Sequence, residues 1–322
     1  MTTTTPTLFP ARSCHRGPHT VTLTNPFARR LCPFSGFGAR SWALVLICAT
    51  GACAANPIAD EHRIGGFAAG PQAFSFKLFT LFEAIEKTAQ TGAKIIEFSG
   101  KQKLISERPD VVFNHDSPDD VIRAVQAKLR QHGIRAVNYG VVPIPTDEPG
   151  ARKVFEFAKR MGLYAITTES ETSIDLIEKM VREYDIRVGF HNHAKKPKDP
   201  AYKLWDPRHV RALVEGRDAR IGACADIGHW QTTGLKAIDG LRILEGRIIS
   251  LHFKERGALG PGQHDLIFGT GITDIGGLLA ELRRQKFDGN IAIEYEYNWT
   301  DSVPDIAQCI GFIRGWAAAH PP

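Results

Sequence analysis

The chain has 322 residues, 43% of them hydrophobic and 23% charged, with a formal net charge of +5, enough for one large domain and a short extension. All of the excess charge precedes the first acidic residue, Asp60. Arg12, Arg16, Arg29, Arg30 and Arg40 lie there, and removing these five from the 40 Lys and Arg leaves 35 against 35 Asp and Glu. A neutral body argues against a nucleic-acid partner, and its two distant cysteines, Cys224 and Cys309, do not make a disulfide framework.

In chain order, residues 1–55 read as an export leader. Trp42 to Gly51 is an apolar run of signal-peptide length, preceded by Arg40 and followed by the small residues Ala52, Cys53, Ala54 and Ala55. It is short for a bilayer span, so no stable membrane insertion is expected. Such a leader places the protein in the periplasm or outside the cell. The alternative is a tail with a short apolar patch on a cytoplasmic protein.

From Gly66 onward, short apolar segments alternate with amphipathic ones. Strands are predicted at Gln72–Phe76, Lys94–Phe98, Arg135–Tyr139, Tyr164–Thr168, Arg187–His191, Gly222–Asp226, Ile248–His252 and Ile291–Tyr295. Helical spacing is predicted at Leu78–Gln90, Ala151–Arg160, Ser173–Tyr184 and Ile275–Gln285. Gly92, Gly133 and Gly162 stand where helices stop before the next strand. Eight β-then-α units match a (β/α)8 TIM barrel over residues 66–319, and no Gly-rich dinucleotide turn follows the first strand to favour an open doubly wound sheet.

The last four strands end in metal-type ligands: His191 and His193, Asp226 and His229, His252 and Lys254, Glu294 and Glu296. Burying such groups without partners costs several kcal/mol each, and a barrel gathers strand C-termini at one mouth. Glu169, after the fourth strand, can lean toward the same pocket. Any one of these has a bland reading as a hydrogen-bonded or solvated residue. Mixed imidazole and carboxylate on adjacent strands argues for a divalent ion, with Mn2+, Mg2+, Co2+ and Zn2+ all compatible. Trp205, Trp230 and Trp299 lie near loop tops, as packing or as the floor of a sugar site. Glu97, at the second strand end, is a further candidate substrate contact with His229, Glu296 and Trp230.

Three stretches carry a resemblance: ACADIGHW (223–230), SLHFKE (250–255) and the run from Gly269 to Trp299 ending in IAIEYEYNW. They resemble the xylose-isomerase-like TIM barrels, the sugar phosphate isomerase/epimerase superfamily that also contains endonuclease IV. The resemblance implies Asp226, His252 and Glu294 as metal ligands. Where the family usually places a glutamate on the fifth strand, this chain has His191, so the fourth ligand is His191 or Glu169. His193 matches a histidine beside the metal in some dehydratase relatives, and His229 is expected at substrate hydroxyls.

The implied chemistry is proton abstraction beside the carbonyl of a sugar or keto-sugar, with the ion polarising the carbonyl and steadying the enediolate. His193, Glu169, Glu294 and Lys254 are the candidate catalytic groups. Isomerisation or epimerisation is the first expectation, and elimination or hydration on a 3-keto-glycoside the alternative. The missing fifth-strand glutamate counts against plain epimerisation. A non-catalytic carbohydrate-binding barrel and an abasic-site endonuclease are the readings from other classes; the neutral body argues against the latter. The partner expected is a small sugar or glycoside, and nothing singles out an oligomer interface.

Overall fold

A computed structural model describes residues 57–321; the leader expected over 1–55 lies outside the described residues. Eight parallel strands form one sheet: strand one Ala68–Pro71, two Ile95–Phe98, three Arg135–Tyr139, four Ala165–Thr168, five Arg187–His191, six Ile221–Asp226, seven Ile248–Phe253 and eight Asn290–Ile293. Strands two to eight pair in sequence order and strand one pairs with strand eight. A single parallel bridge, Gln72 to Glu97, joins strands one and two and closes the cylinder. This is the (β/α)8 barrel expected from the alternation.

The helices are α1 Leu81–Gln90, α2 Asp119–His132, α3 Glu148–Met161, α4 Ile174–Tyr184, α5 Pro207–Val214, α6 Ile227–Thr232, α7 Ala237–Ile243, α8 Ile275–Arg284 and α9 Val303–Ala319. Local chemistry sets their ends. Thr80 and Glu83 form a reciprocal capping box on α1, with the Thr80 N–H donating to Glu83 Oε2 at 2.7 Å. Gly133 and Gly162 close α2 and α3 in the left-handed conformation, as their spacing predicted. Apolar faces of the helices pack on the outside of the sheet. A second cluster, Ile58, Ala68, Ile95, Val137, Tyr164, Ala165 and Ile249, joins residues near the N-terminal ends of the strands. No helix among the described residues is long and apolar enough to cross a membrane.

The first strand departs from expectation. The predicted Gln72–Phe76 is mostly a 3-10 turn, Ala73–Phe76, whose start is capped by the Gln72 side chain. The strand is instead the small-residue run Ala68–Pro71. A Cβ on Gly70 would lie 2.2 Å from the Ile95 carbonyl oxygen, so strand one fits against strand two only with glycine there. Two antiparallel hairpins, Lys103–Ile105 with Arg108–Val112 and Glu255–Arg256 with Asp265–Leu266, follow strands two and seven.

Candidate metal and substrate site

The sequence explains the site from the strand ends upward. Strand six terminates at Asp226, which is also the N-cap of α6: its Oδ1 accepts the His229 N–H at 2.8 Å. That bond accounts for the Asp-x-x-His spacing and leaves Oδ2 over. Asn192 clamps the Asp226 backbone from strand five, donating to its carbonyl at 3.0 Å and accepting its N–H at 2.9 Å.

Four ligand atoms, one each from His191, Asp226, His252 and Glu294, lie within 4.8 Å of one another. His191 Nε2 is 3.6 Å from Asp226 Oδ2, and His252 Nδ1 is 3.8 Å from Asp226 Oδ2 and 3.0 Å from Glu294 Oε2. Donors held about 2.0–2.2 Å from one ion have separations of this size. All four residues are buried, and His191 Nε2, Asp226 Oδ2 and His252 Nδ1 make no hydrogen bond of acceptable geometry. Three buried polar atoms left without hydrogen bonds and facing one point fit a cation, because leaving them unpaired is costly.

The other nitrogen of each imidazole is fixed by a carboxylate. His191 Nδ1 lies 2.9 Å from Glu169 Oε1, and His252 Nε2 lies 2.8 Å from Glu97 Oε1. Ionised carboxylates accept only, so both rings donate there and turn a lone pair toward the cluster. Glu97 is held in turn by Asn290 Nδ2 at 3.0 Å, and Asn138 links Asn290 to Thr167. A polar network therefore fills the barrel interior beneath the cluster.

Glu169 serves two rings, since His193 Nδ1 also bonds its Oε1. Burial raises the Glu169 carboxyl, but hydrogen bonds from His191 and His193 outweigh it and bring it down to about 2. Desolvation, aided by the Lys254 charge, lowers His229 to about 3, against the pull of Asp226. Burial disfavours the Lys254 cation, yet Asp226, Glu294 and Glu296 hold it well above its ordinary value. Its Nζ is 3.1 Å from Asp226 Oδ2 and 2.9 Å from Glu294 Oε2, and it also bonds Glu296.

A cavity of about 250 Å³ opens above the cluster, lined by Gln72, Phe74, Ser99, Lys101, Val141, His191, His193, His229, Glu294 and Glu296. His193, His229, Glu294 and Glu296 thus stand where the sequence placed them. Of the two candidates for fourth ligand, His191 belongs to the four-residue cluster, while Glu169 forms a second group with His191 and His193 whose ligand atoms also lie within 4.8 Å of one another. Three expectations need correcting. Glu97 is 1% exposed and orients His252 rather than lining the cavity. Trp230 is 1% exposed and packs in the core, where it fills the space a Cβ on Gly240 would need. Lys254 is fully buried among carboxylates and does not line the cavity, so it acts as their counter-charge. Asn192, Gln72, Ser99 and Lys101 were missed. Only Asn192, between two histidines at a strand end, carried a signal.

These features define a (β/α)8 barrel with a cluster of two imidazoles and two carboxylates at its C-terminal mouth. The family model described as xylose isomerase-like TIM barrel matches residues 85–315, and the chain belongs to that family. No curated protein sequence matches the chain. Among solved structures, an uncharacterised protein from Parabacteroides distasonis is similar at 29% identity and a TM-score of 0.63, over 78% of this chain and 99% of that one. A D-tagatose 3-epimerase-like protein is similar at 15% identity and a TM-score of 0.61, over 78% and 97%. A probable 3-DHS dehydratase from Bacillus anthracis matches at 12% identity and a TM-score of 0.55, over 76% and 97%.

Proposed function

We propose that this protein is a divalent-metal-dependent enzyme that removes a proton beside the carbonyl of a sugar or keto-sugar and returns it elsewhere, as an isomerase or epimerase does. The observation that carries this reading is the convergence of His191 Nε2, Asp226 Oδ2 and His252 Nδ1, buried and without hydrogen bonds, with the Glu294 carboxylate. Two imidazoles with two carboxylates suit Mn2+, Co2+ or Zn2+ better than Mg2+, which prefers all-oxygen sites. A bound ion would supply a Lewis acid for the substrate carbonyl.

The protein's own groups handle the protons. Glu169 accepts the His193 Nδ1–H, so His193 Nε2 keeps its lone pair and is the base on the strand-five wall. Glu296, on the strand-eight side of the cluster, is an ionised carboxylate bonded to Lys254, so the proton returned to the substrate is the one His193 has taken. A single imidazole that takes and returns the proton suits transfer between neighbouring carbons. Glu97 and Glu169 keep both imidazoles in the tautomer that binds an ion.

One observation favours elimination on a 3-keto-glycoside as a second reading. The His193 and His229 rings are adjacent, 4.8 Å between centroids, on one side of the cavity. A base beside a neutral ring N–H that can hydrogen-bond the departing oxygen matches loss of a proton and a leaving oxygen from neighbouring carbons. The test is incubation of the Mn2+-loaded protein with keto-sugars in deuterated water, read by NMR. Deuterium entering with an isomeric product supports the first reading, and loss of the aglycone or of water supports the second. No exchange with any keto-sugar tested sinks both.

A further inference from the structure

Two groups on the side of the cavity away from the cluster are uncommitted. Ser99, just past the end of strand two, is 5% exposed and lines the cavity, yet its hydroxyl has no hydrogen-bond partner. Lys101 is the one Lys or Arg among the described residues lining the cavity, and it makes no ion pair among them. A buried hydroxyl without a partner costs free energy that a bound acceptor recovers.

The cavity's charges are divided. The candidate ligands come from strands five to eight, where Asp226, Glu294 and Glu296 balance Lys254 and a divalent ion, and Glu169, after strand four, adds one negative charge behind them. Gln72, Ser99 and Val141 come from the ends of strands one to three, and Lys101 stands with them. An anionic substituent has an uncommitted cation and a hydroxyl donor at the second side. The rim adds to this field. Beside His193 and His229, a shallow recess is walled by Lys195, Lys196 and Lys198, a local cluster in a body whose charges balance overall. Lys195 and Lys196 rest over the Trp205 and Tyr202 rings, 4.9 and 3.9 Å from their centroids. Positive charge at the mouth of a cleft raises the local concentration of anionic ligands.

We propose that the substrate is a sugar acid, with a carboxylate bound by Lys101 and Ser99 at the end remote from the reacting carbonyl. The inference rests on the proton-abstraction reading of the same cavity for which end reacts. One ammonium and one hydroxyl match the two oxygens of a single carboxylate, whereas phosphate carries more charge and three oxygens to satisfy.

The test is calorimetric titration of the Mn2+-loaded full chain with D-glucuronate, D-glucose and D-glucose 6-phosphate. Glucuronate is expected to bind about tenfold more tightly than glucose, the effect of one charge-assisted contact. That ratio should fall to about one in Lys101→Met, survive in Lys101→Arg and shrink severalfold in Ser99→Ala. A wild-type ratio of one, a ratio unmoved by Lys101→Met, or glucose 6-phosphate outranking glucuronate overturns the proposal. Deuterium wash-in by the wild type on a neutral keto-sugar separates the two readings. Exchange with no carboxylate preference leaves the reaction standing and removes the sugar acid, while the preference without exchange does the reverse.

Discussion

Single atoms at this site are set by the residues behind them. Glu97 touches no substrate wall, yet its bond to His252 Nε2 decides which nitrogen faces the cluster. Carboxylates in this position change metal affinity by about 10–100-fold. Glu97→Ala is therefore expected to weaken Mn2+ binding by that order in calorimetry while Asp226→Ala abolishes it, and unchanged affinity in Glu97→Ala would refute the orienting role. Away from the site, Arg220 grips Asp218 through Nε and Nη2 at 2.9 and 2.8 Å. Those bonds outweigh burial and bring the Asp218 carboxyl from 3.8 to about 2. A folded-state pKa below the unfolded one stabilises above pH 3.8, and the stabilisation is lost as pH falls toward 2. Asp218→Asn should cost about 1–2 kcal/mol at pH 7, after allowance for partial exposure, and almost nothing near pH 2. Urea unfolding at the two pH values checks this, and an equal cost at both would contradict the pairing. The sequence made the four clustered residues legible as candidates because ionisable groups at the ends of apolar strands demand an explanation. It left the Glu97 and Trp230 assignments open to error because a residue's place in a strand does not say which wall its side chain reaches. Ser99 and Lys101 sit in a loop with no period to read.

At the scale of elements, seven of the eight predicted strands overlap those observed, because buried parallel strands are continuous apolar runs. The first was displaced because strand one is built from Ala68, Ala69, Gly70 and Pro71, while bulky aromatics beside it looked more strand-like. The reason is spatial: strand two's backbone leaves no room for a Cβ at Gly70. Gly70→Ala is expected to cost about 1–3 kcal/mol, as overpacking does, with the obstructing atom a backbone carbonyl. Thr80→Ala, which removes half of the α1 capping box, should cost about 1 kcal/mol. Urea midpoints compare the two, and a Gly70→Ala protein as stable as the parent would mean that the two strands can separate without penalty. The hairpins after strands two and seven went unseen because their paired segments are two to five residues long, too short for a period.

For the molecule as a whole, fold and site are coupled through the cluster. His191, Asp226, His252 and Glu294 come from four successive strands, so an ion held by all four links half of the barrel's circumference at its open end. Such an ion binds the folded chain and finds no preformed site in the unfolded one, which makes its affinity a contribution to stability. At a hundredfold excess over Kd that contribution is about 2.7 kcal/mol. For a barrel of this size, about 2–4 °C per kcal/mol converts it to a rise in Tm of roughly 5–11 °C. The Lys254 ammonium already screens Asp226 and Glu294, so the metal-free barrel is expected to fold and to show its own lower transition. Melting the EDTA-treated protein with and without Mn2+ tests this directly. The rise should be reversed by chelator, absent in Asp226→Ala, and present in His229→Ala, whose ring lies outside the four-residue cluster. A Tm that ignores Mn2+ across the micromolar to millimolar range would mean that these four side chains do not hold an ion.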